Sequence, residues 1–482
     1  MGKTTERFTE AGDRIDFHCD WRSFDPKLAN LSTRLHRIKL DYHMRMQKLH
    51  FTIVIFCLTF PAIADDWPQW RGPQRDGVWR ETGITDKLNT DSEGNIKLKW
   101  SSEIGAGYSQ PTVANGRIYV TDRVDDPDEI ERVHCFDFKT GNKLWSIDYP
   151  AAYTIGYKSG PRAAVHIDGK NAYALGGVGH LHCLSAATGD IIWKRDLAND
   201  YKIDMPRWGI AAAPIIEGNL IILHIGGAQG ACVVGLNKQT GKEKWRAIHD
   251  DASYAAPIII DQAGKRVLVV YSADELFGLD PATGKKYWSF AMPGSKWPIS
   301  IATPVITSHN GNRYIFATNA HVGTVLLKLG ENNTTIDKVW RQQNPRLADA
   351  MYSLIPTPFI RNGHIYGTHN RGELRCLELL TGKQVWQSTE AVKPDRFSTL
   401  HIVAQGTSGG RVWIFNEHGE LIIADLTPTG YKQISRGKLV EPTQPGLPSR
   451  RGGVTWAHPA FANKHVIARN DKRMVCADLS DN

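Results

Sequence analysis

Short runs of apolar, β-branched and aromatic residues, separated by turn residues, fill most of the chain. Residues 256–260, 267–271, 275–280 and 285–288 are one such series, with glycine, aspartate and alanine between the runs. Runs of this length and composition predict β-strands. No comparable stretch has the 3.6-residue period of an amphipathic helix. The pattern therefore predicts an all-β fold.

A Thr-Gly pair, followed after three residues by tryptophan, recurs along the chain. The copies are Thr140-Gly141 with Trp145, Thr188-Gly189 with Trp193, Thr240-Gly241 with Trp245, Thr283-Gly284 with Trp288 and Thr381-Gly382 with Trp386. Trp100 and Trp340 continue the series, and successive tryptophans stand 43 to 52 residues apart. This spacing is typical of a four-stranded propeller blade. Glycine supplies the positive φ of a tight hairpin, and tryptophan offers a large surface for packing between sheets.

Counting the repeats predicts eight blades in a closed ring. Seven blades are predicted at residues 110–145, 160–193, 211–245, 255–288, 302–340, 356–386 and 399–434. The eighth is incomplete, because residues 457–479 supply only three strands. Residues 96–100 match the last strand of the other repeats, so we predict that this N-terminal strand joins the last blade. That pairing removes two exposed sheet edges.

The repeat resembles that of a known family. Its pattern is a small residue, then Asp, then Thr-Gly and Trp, as from Cys135 to Trp145 and from Gly278 to Trp288. This pattern resembles the repeat of the pyrroloquinoline quinone (PQQ) dehydrogenase family of eight-bladed β-propellers, over about residues 96–479. The segment 67–73 (WPQWRGP), with Gly77, is similar to the start of exported bacterial PQQ-like repeat proteins.

The resemblance leaves three functions open, since a fold does not determine a function. In the dehydrogenases, PQQ stacks on a tryptophan, acidic and amide side chains hold calcium, and two adjacent cysteines lie over the cofactor. This chain has no adjacent cysteines. The favoured prediction is a non-enzymatic docking platform without a cofactor, like the outer-membrane protein assembly factor with this repeat. The alternatives are a PQQ-dependent dehydrogenase with PQQ and calcium, and a small-ligand or glycan binder.

The N-terminal residues have the pattern of an export signal. Arg45 and Lys48 precede the ten apolar residues 51–60, and the sequence Ala62-Ile63-Ala64 follows. A charged region, an apolar region and an A-x-A site predict a secretory signal peptide. We therefore expect residues 1–43 to be a disordered leader or a mis-assigned start, 44–64 to be the signal peptide, and 65–482 to be one propeller domain in the periplasm or secreted.

Charge and hydropathy limit the partners. The formal net charge is +8, and residues 1–64 contribute 10 Lys and Arg against 7 Asp and Glu. No dense basic run indicates a nucleic-acid partner. The ten-residue apolar run is half of the roughly 20 residues that span a bilayer as a helix, so we expect no transmembrane span. We expect a monomer.

The number of cysteines after the predicted cleavage site is odd, although the predicted compartment is oxidising. They are Cys135, Cys183, Cys232, Cys376 and Cys476. Three of them lie five residues before a Thr-Gly pair, at the same position of separate repeats. Equivalent positions in different blades are too far apart for disulfide geometry. We therefore predict five buried free thiols.

Aromatic and cationic residues precede the inner strands and predict a ligand site at one mouth of the central channel. The candidates are Tyr108, Arg162, Arg207, Trp208, Tyr254, Trp297, Tyr352, Arg450, Arg451, Trp456 and His458. Tyr157, Lys158, Lys296, Arg396, Phe397 and His401 occupy similar positions. Such a rim stacks on planar or sugar groups and pairs with carboxylates. The competing interpretation is that the aromatic residues only separate the blades.

Metal and catalytic sites have weaker support. His180 and His182 share one face of a predicted strand, but a third ligand at metal spacing is missing. The acidic stretch 122–131 lacks the glycine and terminal glutamate of a calcium loop, and we interpret it as a solvated hairpin tip. We expect no metal site and identify no catalytic residue.

Overall fold

Eight antiparallel four-stranded sheets form the framework of the protein, as the sequence predicts. The computed structural model describes residues 65–157, 160–293, 299–343, 350–445 and 452–481. The predicted leader and signal peptide, residues 1–64, lie outside the described residues. In the first seven blades the four antiparallel strands follow the order of the chain, and first strands of neighbouring blades contact one another. The first strand is therefore the innermost one.

The first four blades follow the repeats closely. Blade 1 contains Thr112–Ala114, Arg117–Val124, Ile130–Asp137 and Lys143–Pro150. Blade 2 contains His166–Asp168, Asn171–Leu175, His180–Ser185 and Ile191–Asp196. Blade 3 contains Ile215–Glu217, Leu220–Gly227, Ala231–Asn237 and Glu243–Ala247. Blade 4 contains Ile258–Gln262, Lys265–Tyr271, Glu275–Leu279 and Lys286–Ala291.

The remaining blades complete the ring. Blade 5 contains Val305–His309, Asn312–Asn319, Gly323–Leu329 and Ile336–Gln342. Blade 6 contains Phe359–Arg361, His364–Thr368, Leu374–Glu378 and Gln384–Ser388. Blade 7 contains Leu400–Gln405, Arg411–Asn416, Glu420–Thr427 and Gly430–Lys438. Blade 8 contains Ala460–Ala462, His465–Arg469, Arg473–Asp478 and, from the N-terminal side, Trp100–Glu103.

The N-terminal strand closes the ring, but its bounds differ from the prediction. The strand that pairs with Arg473–Asp478 is Trp100–Glu103, whereas residues 96–100 were expected. Ile96 instead donates its backbone N–H to the carbonyl oxygen of Lys438 in blade 7, at 2.8 Å. The chain therefore crosses from the edge of blade 7 to the edge of blade 8 just before Trp100. The pairing still joins both ends of the propeller in one sheet.

Several smaller elements were not predicted. Val78–Trp79 pairs in parallel with the first strand of blade 7. Gln444–Pro445 and Gly453–Val454 form a two-stranded sheet. A short helix, Leu197–Tyr201, follows blade 2, and the Asp196 side chain caps its N-terminus. Among the described residues, no helix is long and apolar enough to cross a membrane.

The repeat tryptophans join each blade to the next. Six indole N–H groups donate to a backbone carbonyl oxygen of the following blade at 2.8–3.2 Å: Trp100 to Phe138, Trp145 to Ala186, Trp193 to Lys238, Trp245 to Pro281, Trp340 to Leu379 and Trp386 to Thr427. In five of these contacts, all but that of Trp386, the glycine of the following turn lies against the same indole. A Cβ on Gly141 would lie 2.7 Å from the Trp100 ring. Glycine is thus required both for its positive φ and for this close approach.

Trp288 is the exception, and the next blade explains it. Its indole donates to the Gln262 side chain of its own blade at 3.1 Å. Blade 5, which follows, has no Thr-Gly turn before Trp340. Whether the indole meets a carbonyl acceptor and a glycine in the next blade therefore depends on the turn of that blade and not on the tryptophan itself.

The five cysteines are free, buried and located in separate blades, as predicted. Cys135, Cys183 and Cys376 each pair across the ladder with the repeat tryptophan of their own blade, and Cys476 pairs with Trp100 in the same way. Gly235 and Gly278 occupy this position in blades 3 and 4. A small residue is needed there because the indole covers it.

The closing tryptophan allows a test of the ring. We expect Trp100→Ala to lower the free energy of unfolding by about 3–5 kcal/mol, because it removes a buried indole at the junction of blades 8 and 1. Trp100→Phe keeps most of the packing but loses the hydrogen bond to Phe138, so about 1 kcal/mol is expected. Urea unfolding followed by circular dichroism measures both. Equal stability of Trp100→Ala and the unsubstituted protein would contradict ring closure through this strand.

Candidate functional site at the mouth of the propeller

The connections that lead into the inner strands surround a cavity of about 390 Å³. Seven of the predicted residues line it: Tyr108, Arg162, Arg207, Trp208, Tyr254, Trp456 and His458. Tyr157, Arg396, Phe397 and His401 line it as well. These residues come from connections before blades 1, 2, 3, 4, 7 and 8 and from the first strand of blade 7, so only ring closure brings them together. We call this cavity the mouth cavity.

The other four predicted residues are not among the described residues that line the cavity. Tyr352 is fully buried, with its ring centroid 5.8 Å from that of His369, and it does not line the cavity. Tyr352 precedes an inner strand, as the other candidates do, but its side chain packs into the blade. Trp297, Arg450 and Arg451 lie outside the described residues, as do Lys158 and Lys296.

Arg162 is fixed in the wall of the cavity. Its guanidinium donates to the carbonyl oxygens of Gly156, Tyr157 and Gly160 at 2.6–3.0 Å. It also lies over the Tyr108 ring, 5.1 Å from the centroid. Burial lowers the pKa of this guanidinium. Arg162 therefore presents a rigid positive charge held by neutral groups.

Two further arginines line the cavity, each beside an aromatic ring. Arg207 lies 5.2 Å from the centroid of the Trp208 ring, and Arg396 lies 4.9 Å from that of the Phe397 ring. Burial raises the pKa of the Tyr157 hydroxyl, and both guanidiniums oppose that rise. They therefore act on the same hydroxyl although they belong to different connections. No aspartate or glutamate occurs among the described residues that line the cavity.

The N-terminal segment forms part of the cavity, which the sequence analysis did not predict. The Trp70 indole donates to the Thr303 hydroxyl at 3.0 Å and packs against Ala164, Ala213 and Ala256. Arg75 donates to the carbonyl oxygens of Ala213 and Pro214. The segment thus touches blades on several sides of the ring and lies in its centre. The motif WPQWRGP is the feature of the sequence that indicates a structural role for this N-terminal segment.

Two buried histidines lie beside Trp70. The rings of His401 and His458 have centroids 4.7 Å apart, and the His458 ring is 5.3 Å from that of Trp70. Burial lowers the pKa of His401 to about 4 and that of His458 well below its usual value. Both rings are therefore neutral at neutral pH.

The candidate metal positions have structural roles. His180 and His182 contact the Tyr149 ring, at centroid distances of 5.3 and 4.4 Å. The interpretation of the acidic stretch as a solvated tip is wrong for its two ends, since Asp122 and Glu131 are fully buried. Asp122 pairs with Arg132 at 2.7 Å and hydrogen-bonds with His134 at 3.0 Å, and the Arg132 charge together with these hydrogen bonds explains the burial. No cluster of three or more potential metal ligands occurs in the described part of the chain.

The mouth cavity does not match the PQQ and calcium site that the resemblance implies. Calcium takes oxygen ligands, mainly from carboxylate and amide side chains and carbonyl groups. The described lining contains neither acidic nor amide side chains. The five described cysteines belong to separate blades, so no two of them are adjacent. The aromatic and cationic groups suit a planar anion, but the donor set for calcium is missing from this lining.

The buried histidines predict that acid destabilises the fold. Burial lowers the pKa of His166 to about 3, and those of His182, His224 and His369 to about 4. The unfolded chain, with histidine pKa values near 6.5, therefore binds more protons between about pH 6.5 and 4. Stability is complete above this window and falls as the pH drops through it.

Urea unfolding at pH 7.5, 6.5, 5.5 and 4.5 measures this effect. We expect the free energy of unfolding to fall below pH 6.5, with each neutral buried histidine contributing up to about 1.4 kcal/mol per pH unit. His224→Gln should flatten the dependence, whereas His249→Gln, at an exposed position, should leave it unchanged. A pH-independent stability would contradict the assignment of neutral histidines.

Comparisons with known proteins place the chain in a family. A family model described as outer membrane protein assembly factor BamB matches residues 129–388. BamB of Shewanella oneidensis is 23% identical over 268 residues, which are 53% of this chain and 62% of that protein. Quinohemoprotein alcohol dehydrogenase of Comamonas testosteroni is 25% identical over 240 residues, which are 48% of this chain and 31% of that protein. The chain thus spans less than two thirds of each relative.

Solved structures share the fold. The superposition on BamB from Moraxella catarrhalis has a TM-score of 0.54 at 16% identity. It covers 79% of this chain and 99% of the BamB chain. The Comamonas testosteroni dehydrogenase has a TM-score of 0.62 at 14% identity, with coverages of 85% and 80%. The family model spans more than half of the sequence, and the blades carry the expected repeat. The chain therefore belongs to the PQQ-like repeat β-propeller family.

Proposed function

We propose that the protein is an exported, non-enzymatic binding platform that receives an anionic group of its partner in the mouth cavity. The observation that carries the proposal is that Arg162, Arg207 and Arg396 line one cavity, with no acidic residue in its described lining. Guanidiniums that line a cavity without acidic residues in its described lining attract carboxylates and similar anions. An acidic segment of a protein partner supplies such groups.

The lining favours binding over catalysis. General acid–base catalysis needs a titratable group with a pKa near the working pH. The two histidines on the floor have pKa values lowered by burial to about 4 or below. The arginines remain charged and do not transfer protons at neutral pH. This chemistry supports a binding role, which agrees with the name of the BamB relatives, an assembly factor, and not with that of the alcohol dehydrogenase relatives.

A small-ligand binder is the second candidate, because the cavity has the size and lining of a ligand pocket. Pockets for small molecules measure about 300–1,000 Å³ and are mostly apolar with a few polar groups. The mouth cavity has about 390 Å³ and includes the rings of Trp70, Trp208, Tyr254 and Trp456. The same arginines would hold the anionic group of such a ligand.

Calorimetric titration tests the binding platform. We expect a hexaglutamate peptide to bind in a salt-dependent manner and hexaglutamine not to bind, since the mouth recognises charge. Arg207→Gln and Arg396→Gln should each weaken hexaglutamate binding about fivefold to tenfold. Arg246→Gln is the matched control, because Arg246 is exposed and pairs with Glu243 away from the cavity.

Titration with PQQ, with and without calcium, separates the platform from a dehydrogenase. Tight PQQ binding that requires calcium would contradict the proposal and favour the enzyme. Hexaglutamate binding that neither arginine substitution changes would move the binding surface away from the mouth. The predicted contributions of Arg450 and Arg451 are tested with Arg450→Ala and Arg451→Ala in the same titration.

Export predicts a defined N-terminus. If the signal peptide is cleaved after Ala64, the protein recovered from a periplasmic extract begins Asp65-Asp66-Trp67. Mass spectrometry of the intact protein measures this end. A protein that keeps residues 1–64 and stays in the cytoplasm would contradict export. Replacing the apolar residues Val54 and Ile55 with aspartate should block cleavage, since the apolar core of a signal peptide is required.

A further inference from the structure

The floor and the entrance of the mouth cavity have opposite hydrogen-bonding character. The entrance holds Arg207 and Arg396, whose guanidiniums only donate. The floor holds the rings of His401 and His458 beside Trp70. We call these two histidines the floor pair.

Backbone carbonyl groups fix the tautomer of each floor histidine. His401 Nε2 lies 2.9 Å from the carbonyl oxygen of Trp456, and His458 Nδ1 lies 2.7 Å from that of Pro459. A carbonyl oxygen only accepts, so each of these nitrogens carries the proton. In a neutral ring the second nitrogen, Nδ1 of His401 and Nε2 of His458, then has a lone pair and accepts.

The surroundings keep the floor pair neutral. The groups that face the two rings are the two carbonyl groups, the Trp70 ring and the Arg71 guanidinium of the N-terminal segment. Burial, the mutual contact of the rings and the positive charge of Arg71 all lower the pKa of His458. Among these described neighbours there is no carboxylate to stabilise an imidazolium.

The second nitrogen of neither ring has a protein partner among the described residues. Each ring makes one hydrogen bond, to the carbonyl oxygen already named. Both rings line the mouth cavity. A polar atom in such a place gains free energy when a ligand supplies its missing hydrogen bond. The floor pair thus offers up to two acceptors to a ligand.

We propose that the mouth cavity takes a planar ring ligand with an anionic group at one end and a hydroxyl or N–H donor at the other. The arginines at the entrance hold the anionic group, the aromatic walls cover the ring faces, and the floor pair accepts from the donor. The cavity volume of about 390 Å³ suits a ligand of one or two fused rings. This proposal rests on the anion-binding mouth of the proposed function.

Four naphthalene probes test the two ends separately. The full-length protein is titrated calorimetrically at pH 7.5 with 6-hydroxy-2-naphthoate, 6-methoxy-2-naphthoate, 2-naphthoate and 2-naphthol. We expect the hydroxynaphthoate to bind about tenfold more tightly than 2-naphthoate and the methoxy compound, which corresponds to about 1.4 kcal/mol. The naphthol, which lacks the anion, should bind at least tenfold more weakly than the hydroxynaphthoate.

Variants assign the donor contact to the floor. His401→Phe and His458→Phe, made separately, remove the acceptors but keep a ring of similar size. At least one should reduce the tenfold advantage of the hydroxyl group to twofold or less, while 2-naphthoate affinity changes less than twofold. His364→Phe is the control, since this half-buried histidine contacts Tyr366 outside the cavity.

Binding enthalpies in two buffers of different ionisation enthalpy test the neutrality of the floor pair. Equal enthalpies are expected, because an accepting imidazole takes up no proton. Proton uptake on binding would show an imidazolium and overturn the proposal. So would the absence of a hydroxyl advantage in the unsubstituted protein, an advantage that survives both histidine substitutions, or no binding of any naphthoate. These results leave the arginine-dependent binding of hexaglutamate, which tests the proposed function, unaffected.

Discussion

The contact between a repeat tryptophan and the turn of the following blade, which six of the seven repeat tryptophans make, holds the ring together. The indole donates to a carbonyl oxygen of that turn and lies on its glycine, as Trp145 does with Ala186 and Gly189. One side chain thereby satisfies a polar group and buries apolar surface between two sheets. The neighbouring strand of the same blade must then present a small residue under the indole, which explains Cys135 opposite Trp145. Tertiary position, rather than redox chemistry, accounts for the buried cysteines.

The N-terminal segment links ring closure to the candidate site. Trp100–Glu103 completes blade 8, and Val78–Trp79 adds a strand to the inner edge of blade 7. Further towards the N-terminus, Trp70 lies in the centre of the ring and closes the cavity from below. The same part of the chain thus removes the open edges of the propeller and forms the floor of its mouth. Changes in this segment are expected to affect stability and binding together.

The charges at the mouth suit a surface that binds anions and not a site that transfers protons. The buried Arg162 is held by neutral carbonyl groups and an aromatic ring, so its charge is available to a ligand. Arg207 and Arg396 add charge at the entrance without an acidic residue in the described lining. The histidines on the floor stay neutral because burial opposes their protonation. A cavity built in this way stabilises bound anions, and burial lowers the pKa of each of its lining histidines, His321, His401 and His458.

The sequence by itself determined the fold, because the repeat is a local property. The Thr-Gly turn and the tryptophan after it define each blade within about fifty residues, and their number predicts the ring. The sequence also indicated seven residues of the described mouth, since most of the aromatic and cationic residues chosen before inner strands line the cavity. Tertiary structure alone decided that Tyr352 points into the core and that Trp70 reaches the centre. It also shifted the closing strand to Trp100–Glu103. These outcomes depend on contacts between segments that are far apart in the sequence. Such segments compete for space and hydrogen bonds in the folded protein, and a local sequence pattern does not show which of them prevails.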